Sequence, residues 1–463
     1  MKRPEGNLLA PAPPAAGDLV EIECTDLIAK TGQAVGRADG FVVYVLGPLP
    51  GERARVRLVT VKANYAVGEL VELLSRSPER VEPFCDVFGR CGGCQLQHLA
   101  YPAQLAWKRR VVESALARLG GIADPQVAQP IGAERSRAYR NKMALVIAPG
   151  PALGFYAAGT HDVVPIERCP IVAPALERVL EGLRELAGDP GHGAVLGGVR
   201  HVVARGAEAS GEVVVSFTTD RPSQALAGDA AAVARQLAGV VGIANSFEPP
   251  SANAVMGRLA RNLWGRPEIE EQIGALRLRV SPASFFQINR EIVAALFAFL
   301  APHLRAEVRM LDLYCGAGTF ALFFAAQGAR VVGFEENSYA VAEANANAAR
   351  NGLDDRISIL GGKVEASLRA PLGKRALEAA EIAFLDPPRK GSDEATLGAL
   401  VLARVPRIWY LSCNPATLAR DLAILRAGGY ALEFVQPFDM FPQTGHVEAL
   451  ALLRCTELAP LRP

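Results

Sequence analysis

From about residue 290 the chain settles into a βαβ rhythm, and this constrains the fold more than any other feature. Val308 to Tyr314 reads as an apolar strand running into the loop Cys315-Gly316-Ala317-Gly318-Thr319, with a helix after it. A second strand, Arg330 to Phe334, ends at Glu335. An Ala-rich helix spans 338 to 350, and strands follow at Glu381 to Leu385 and Arg407 to Leu411. Helices alternating with apolar strands mean a parallel sheet, with ligands at the carboxyl ends of its strands. The expectation is an α/β, Rossmann-like domain. Its loop Gly316-Ala317-Gly318-Thr319-Phe320-Ala321 fits G-x-G-x-x-A, in which the glycines let backbone approach a ligand closely. Glu335, 17 residues beyond Gly318, can accept hydrogen bonds from two ribose hydroxyls. That much fits a dinucleotide or S-adenosylmethionine.

The next two strand ends carry more chemistry. Asp386-Pro387-Pro388-Arg389 follows one strand, and the rigid Pro-Pro turn projects Asp386 into the crevice. An Asp-Pro-Pro turn here is a methyltransferase feature. Amine-directed enzymes follow it with an aromatic to stack a flipped base; the Arg389 here argues against an exocyclic amine as target. Ser412-Cys413-Asn414-Pro415 places Cys413 at a strand end, just before a helix over 416 to 426. A helix amino terminus is expected to lower the thiol's pKa. A thiolate beside a methyl donor suits an electron-poor ring. Uracil carbon 5 becomes nucleophilic once a thiolate has added at carbon 6. A base must then remove the carbon 5 proton. His446-Val447-Glu448 offers two candidates, of which Glu448 is favoured, with a raised pKa if it is desolvated.

These motifs resemble those of the TRAM-domain-containing RNA (uracil-5-)-methyltransferase family, and they span nearly the whole chain. Ser412 to Leu418 looks like the family's nucleophile motif, and His446-Val447-Glu448 looks like its general-base motif. Asp386 to Arg389 resembles its cofactor-crevice motif. Ser284-Phe285-Phe286-Gln287-Ile288-Asn289 is similar to the stretch leading into its catalytic domain. The resemblance implies an S-adenosylmethionine site lined by Gln287, Tyr314, Thr319, Glu335 and Asp386; the family often has Asn or another polar residue where Thr319 stands. Composition and spacing alone single out only Glu335 and Asp386. The resemblance also implies a class I methyltransferase fold over 281–463 and a TRAM/OB-like β-barrel over 16–76. An α+β central domain would lie between them, over 77–280.

The start of the sequence lacks the apolar core of a secretory signal, so a reducing compartment is expected, where eight cysteines suggest ligands, nucleophiles or buried thiols rather than disulfides. Cys85-x5-Cys91-x2-Cys94, with Cys169 further on, has ligand-like spacing and could hold zinc or an iron–sulfur cluster. The missing second C-x2–4-C pair tilts the spacing towards iron–sulfur. Cys91 to His98, with Cys169-Pro170-Ile171 downstream, resembles the 4Fe–4S site of the family's ribosomal RNA members. Transfer RNA members typically lack that site. Cys24, Cys315 and Cys455 are taken as bland.

The amino-terminal half is read more coarsely. Short alternating strands at Val20 to Cys24 and Arg53 to Val59, separated by glycines, suggest the small barrel. Residues 1–15, rich in Pro and Ala, read as a loose tail. Leu105, Val111, Val112, Leu116 and Leu119 give a helix over 101 to 119 an apolar face, with its basic residues opposite. The longest apolar run, Ile292 to Ala301, is ten residues, too short to span a membrane.

Forty-nine basic residues against 48 acids argue, taken alone, against a surface coated in positive charge. Residues 105 to 142, however, hold eight bases and three acids, a local +5 that leaves −4 for the rest. This window, with Arg53, Arg55, Arg57, Lys62 and Arg76 in the barrel region, could neutralise RNA phosphates. Stacking buries carbon 5, so the target should be a loop uridine or one flipped out. Taken together, the expectation is a cytoplasmic, monomeric 23S ribosomal RNA uracil-5-methyltransferase. Transfer RNA T-loop methylation is the rival within the class. A non-catalytic iron–sulfur RNA-binding protein would need neither Cys413 nor Glu448, and a nucleotide-dependent oxidoreductase has no use for Asp386 to Arg389.

Overall fold

The computed structural model describes residues 14–148, 152–189, 193–247, 255–256, 259–282 and 284–456. Of the expected tail, residues 1–13 lie outside this set.

Five strands close into a barrel: β1 (Leu19–Leu27), β2 (Ala34–Ala38), β3 (Phe41–Val45), β4 (Arg53–Val61) and β5 (Tyr65–Leu73), in the order β1-β2-β3-β5-β4. The alternation read from the sequence points Ile22, Ala54, Val56 and Leu58 inward. Outward-facing Arg53 and Arg55 pair with Glu21 and Glu72 across the strands, so their charge is partly spent within the barrel wall.

Helix α1 (Tyr101–Arg118) joins the barrel to the rest. Its Trp107 belongs to the barrel's core, with Nε1 3.0 Å from Asp26 Oδ1. Val112 and Leu116 pack into the core under the catalytic sheet, each contributing about 1.5–3 kcal/mol by burial. The helix is rotated from the expected face. Leu119 is exposed, whereas Gln104 and Lys108 are buried. Lys108 is therefore not part of a basic surface, and Arg109 and Arg135 are paired with acids, which shrinks the +5 window's free charge.

A seven-stranded mixed sheet follows, built from β6 (Lys142–Ile147), β7 (Leu153–Tyr156), β8 (Val163–Pro165), β9 (Val199–Gly206), β10 (Val213–Thr219), β11 (Val240–Phe247) and β12 (Leu259–Gly265). Helices α2 (Pro174–Gly188) and α3 (Gln224–Gln236) share its core. The hairpin β13 (Ile269–Ile273) and β14 (Leu276–Val280) leaves this sheet and packs with the catalytic domain.

The catalytic domain runs α4 (Arg290–Leu300), β15 (Arg309–Leu313), α5 (Thr319–Ala326), β16 (Arg330–Glu335), α6 (Ser338–Arg350) and β17 (Ile357–Gly361). It continues with α7 (Val364–Ser367), α8 (Pro371–Ala379), β18 (Ile382–Leu385), α9 (Glu394–Ala403), β19 (Arg407–Ser412), α10 (Pro415–Ala427), β20 (Tyr430–Phe438) and β21 (Glu448–Cys455). The sheet order is β17-β16-β15-β18-β19-β21-β20, parallel except for β21, which is antiparallel to both neighbours. Apolar cores cover both faces, as an almost wholly parallel sheet requires. The order reverses between β15 and β18, the switch point at which sheets of this kind bind their ligands. Among the described residues, no helix is long and apolar enough to cross a membrane.

Candidate active site

The glycine loop leaves β15 through Tyr314, which has φ +67° although it is not a glycine. Such a conformation costs about 1–3 kcal/mol and persists where the surroundings enforce it. Here the Tyr314 hydroxyl lies 3.0 Å from Ser392 Oγ. Ser392 N in turn donates to Asp421, a buried acid that also accepts from Tyr410. Gly318 has φ +85° and an added Cβ would lie 3.1 Å from Ala344 of α6, so only glycine lets α5 start there. Thr319 is the first residue of α5 and is buried. Glu335 ends β16 and accepts from Gly316 N at 3.0 Å and Asn337 N at 2.8 Å, which ties the strand end to the loop.

Across the switch point, Asp386 follows β18. Gln287 Nε2 donates to its Oδ2 at 3.2 Å, and burial pushes its pKa up to about 7. Gln287 is held by Asn141, which donates to its carbonyl at 3.1 Å. Gln287 and Asp386 are thus direct partners, although 99 residues apart.

Cys413 stands between β19 and α10. Asn414 caps α10, accepting from Ala416 N, and donates to the Arg389 carbonyl at 3.0 Å. The Cys413 turn and the Pro-Pro turn are therefore stitched together. The expected low thiol pKa is not found. Burial, then the charges of Glu448 and Asp386, push Cys413 up to about 12, against a smaller opposing pull from Arg389. Desolvation and two nearby carboxylates outweigh the helix terminus. Glu448, the first residue of β21, is buried, and its Oε2 has no partner among the described residues. Burial and Asp386 hold its pKa well above the carboxylate range. His446 is different: burial and Arg389, whose Nη2 is 3.4 Å from Nε2, pull it down to about 4. It is a neutral, weak base, which favours Glu448.

The thiol's position predicts its reactivity. Alkylation of Cys413 in ligand-free protein should keep accelerating as pH rises past 9, because the thiol stays protonated until about 12. Glu448→Gln removes a charge that raises the thiol's pKa. It should therefore speed alkylation in that range, about tenfold for each pKa unit recovered. Iodoacetamide labelling followed by mass spectrometry of the Cys413 peptide measures both effects.

One buried acid beside these groups has no counterpart among the residues expected from sequence. Asp312 is buried within β15, and burial together with Asp386 raises its pKa strongly. The available signal was an acid inside the otherwise apolar run Met310 to Leu313.

Cys85, Cys91, Cys94 and Cys169 line one cavity of about 550 Å³, together with Arg140 and Arg389. None is in a disulfide. Burial and neighbouring sulfurs push Cys94 and Cys169 up to about 12. Among the described residues, however, no three His, Cys, Asp or Glu side chains are gathered as a metal ion requires. The expected ligands share a cavity, but they do not form a zinc-type site.

Comparison with known proteins bears on this geometry. Residues 269–456 match the family model for tRNA (Uracil-5-)-methyltransferase, and residues 16–71 match the TRAM domain. An RNA methyltransferase of Thermosynechococcus vestitus is 38% identical over 448 residues, covering 92% of this chain and 96% of its own. One from Halalkalibacterium halodurans is 35% identical, covering 96% and 98%. Among solved structures, the Pyrococcus abyssi tRNA (uracil-54, C5)-methyltransferase, in complex with S-adenosyl-L-homocysteine, is similar with a TM-score of 0.73 and 26% identity. That likeness covers 93% of this chain and 99% of the other. With a barrel, a methyltransferase sheet and an acid–thiol crevice in place, this chain belongs to the TRAM-domain-containing RNA (uracil-5-)-methyltransferase family.

Proposed function

We propose that the chain methylates carbon 5 of a specific uridine in 23S ribosomal RNA, with Cys413 as nucleophile and Glu448 as base. The observation that supports the mechanism is placement: Cys413 follows β19, Glu448 opens β21, which pairs with β19 so that Ser412 faces Ala449, and Asp386 follows β18 on the other side of β19.

In this reading S-adenosylmethionine supplies an electrophilic methyl group. Glu335 holds the ribose hydroxyls, and Gln287 and Asp386 the amino-acid end. Tyr314 and Thr319 wall the loop side. The Cys413 thiolate would form a bond to uracil carbon 6, and the ring electrons would collect at carbon 5, which takes the methyl group as the donor's sulfur–methyl bond breaks and S-adenosylhomocysteine leaves. Glu448 then accepts the carbon 5 proton. The returning electron pair breaks the carbon 6–sulfur bond, releasing 5-methyluridine and the thiolate. Arg389, which opposes the rise of the Cys413 pKa, is the chain's own aid to forming that thiolate.

The ribosomal substrate rests on the four cysteines. Four thiols in one cavity, with cationic side chains around them, suit an anionic 4Fe–4S cluster held by Cys85, Cys91, Cys94 and Cys169. In such a cluster each of the four thiolates would bind a different iron. Methyl transfer needs no electron from it. Transfer RNA is the second reading, since the Pyrococcus abyssi neighbour acts on tRNA uracil-54. Two measurements test the assignment. Anaerobically purified protein should be brown and hold about four irons per chain; stoichiometric zinc without iron would refute the cluster. Methylation mapping after incubation with labelled donor should place the methyl group in 23S RNA; methylation confined to a transfer RNA T-loop would replace the substrate.

A further inference from the structure

Glu448 enters the site at the end of the loop 439–447, and that loop is held chiefly from outside the catalytic domain. Lys108 of α1 is fully buried, and its Nζ lies 2.5 Å from Asp439 Oδ1 and 3.0 Å from the Phe441 carbonyl. Gln104, one turn earlier, exchanges two hydrogen bonds with Gln443: its Nε2 donates to Gln443 Oε1 at 3.0 Å, and its Oε1 accepts from Gln443 N at 3.1 Å. The Gln443 carbonyl accepts from Gln95 N and Leu96 N, both at 3.0 Å. Gln95 Oε1 accepts from Gly445 N at 3.3 Å, and Tyr139 donates to the Pro442 carbonyl at 3.0 Å. Gly445 lies so close to the barrel that an added Cβ would be 2.0 Å from the Ala29 carbonyl oxygen.

Gln443, the hub of these bonds, has φ +68°. A non-glycine residue stays in that region only where its surroundings over-determine it, and such strain gathers at functional sites. A buried lysine–carboxylate pair is also a poor stabiliser compared with apolar packing, and its best-attested use is to fix a unique arrangement. Together these observations describe a clamp that grips Asp439 through Gly445, three to nine residues before the base.

The geometry points to Lys108, Gln104 and Gln95 as positioning residues for proton removal by Glu448. This rests on the reading of Cys413 as nucleophile and Glu448 as base. It also gives the cysteine loop a role in catalysis: Gln95 follows Cys94 directly, so the loop that carries Cys85, Cys91 and Cys94 also holds the base loop in register. Loosening the clamp misplaces the carboxylate from carbon 5, while the Cys413 turn, stitched separately to Arg389, keeps its geometry. Misplacement by about 1 Å is enough for a loss on the order of 10²-fold.

The test separates the two chemical steps. Full-length protein is given substrate RNA carrying [5-³H]uridine, with S-adenosylmethionine present. Tritium release reports proton removal, and gel-resolved protein–RNA complex reports attack by Cys413. Two variants are compared with wild type: Gln104→Ala, and the double change Lys108→Met with Asp439→Leu, in which apolar side chains replace the ion pair at little expected loss of stability. Tritium release should fall on the order of 10²-fold in both, with the covalent complex accumulating and donor affinity unchanged. Wild-type tritium release in either variant, with its melting temperature preserved, would overturn the clamp. So would equal loss of complex formation and tritium release. Failure of the underlying mechanism looks different, because wild-type protein would then form no complex with 5-fluorouridine RNA.

Discussion

Cys413→Ala is expected to lower methyl transfer to uridine by about 10⁴-fold or more, the scale seen when a covalent nucleophile is removed from a site acting as a unit. Carbon 5 of uracil is not nucleophilic until something has added at carbon 6, so no partial route remains once the thiol is gone. The other catalytic-domain cysteine near the glycine loop cannot stand in. Cys315 is buried, and burial with Asp312 and Glu335 raises its pKa strongly. Donor binding should survive the change, because Glu335, Gln287 and Asp386 keep their contacts. A filter assay with labelled donor measures the rate, and calorimetric titration measures the affinity. A residual rate within tenfold of wild type would remove Cys413 from the mechanism.

Glu448→Gln should produce the opposite kind of defect. Attack and methyl transfer proceed, but the carbon 5 proton stays in place and the enzyme remains bonded to its RNA. General-base loss of this kind is worth about 10²–10⁴-fold. His446 does not rescue it, because burial and Arg389 hold that imidazole near 4. The pH profile carries the sign. Glu448 acts only when deprotonated, and its pKa is raised well above the carboxylate range. In wild type, product release should therefore climb as pH rises through that elevated pKa; in Glu448→Gln the climb should vanish. Quenched-flow measurement of complex decay between pH 5 and 9 separates the two profiles.

Much of the site could be read from residue order because its groups sit at strand ends. Glu335, Asp386 and Cys413 each follow an apolar strand, and a parallel sheet gathers such positions along one edge. The barrel was legible for a similar reason, since inward and outward residues alternate along β1 and β4. What stayed hidden was long-range. The Lys108–Asp439 pair spans 331 residues, and the Gln104–Gln443 pair 339. The face of α1 is hidden by polarity, since charge alone puts Lys108 on the solvent side. Its four-residue spacing with Gln104, Val112 and Leu116 places it on the buried side. The same limit applies to the Cys413 pKa. The helix terminus is local and visible in sequence, whereas burial and the approach of Glu448 are products of the fold.

The most direct test of the whole account is to trap the covalent intermediate. RNA containing 5-fluorouridine at the target position is incubated with wild-type protein and S-adenosylmethionine, then digested and analysed by mass spectrometry. Fluorine at carbon 5 leaves Glu448 no proton to remove. A methylated fluorouridine should therefore be found attached to the Cys413 sulfur, in nearly every active molecule. Absence of a covalent complex from wild-type protein, or its undiminished formation in Cys413→Ala, would contradict the account.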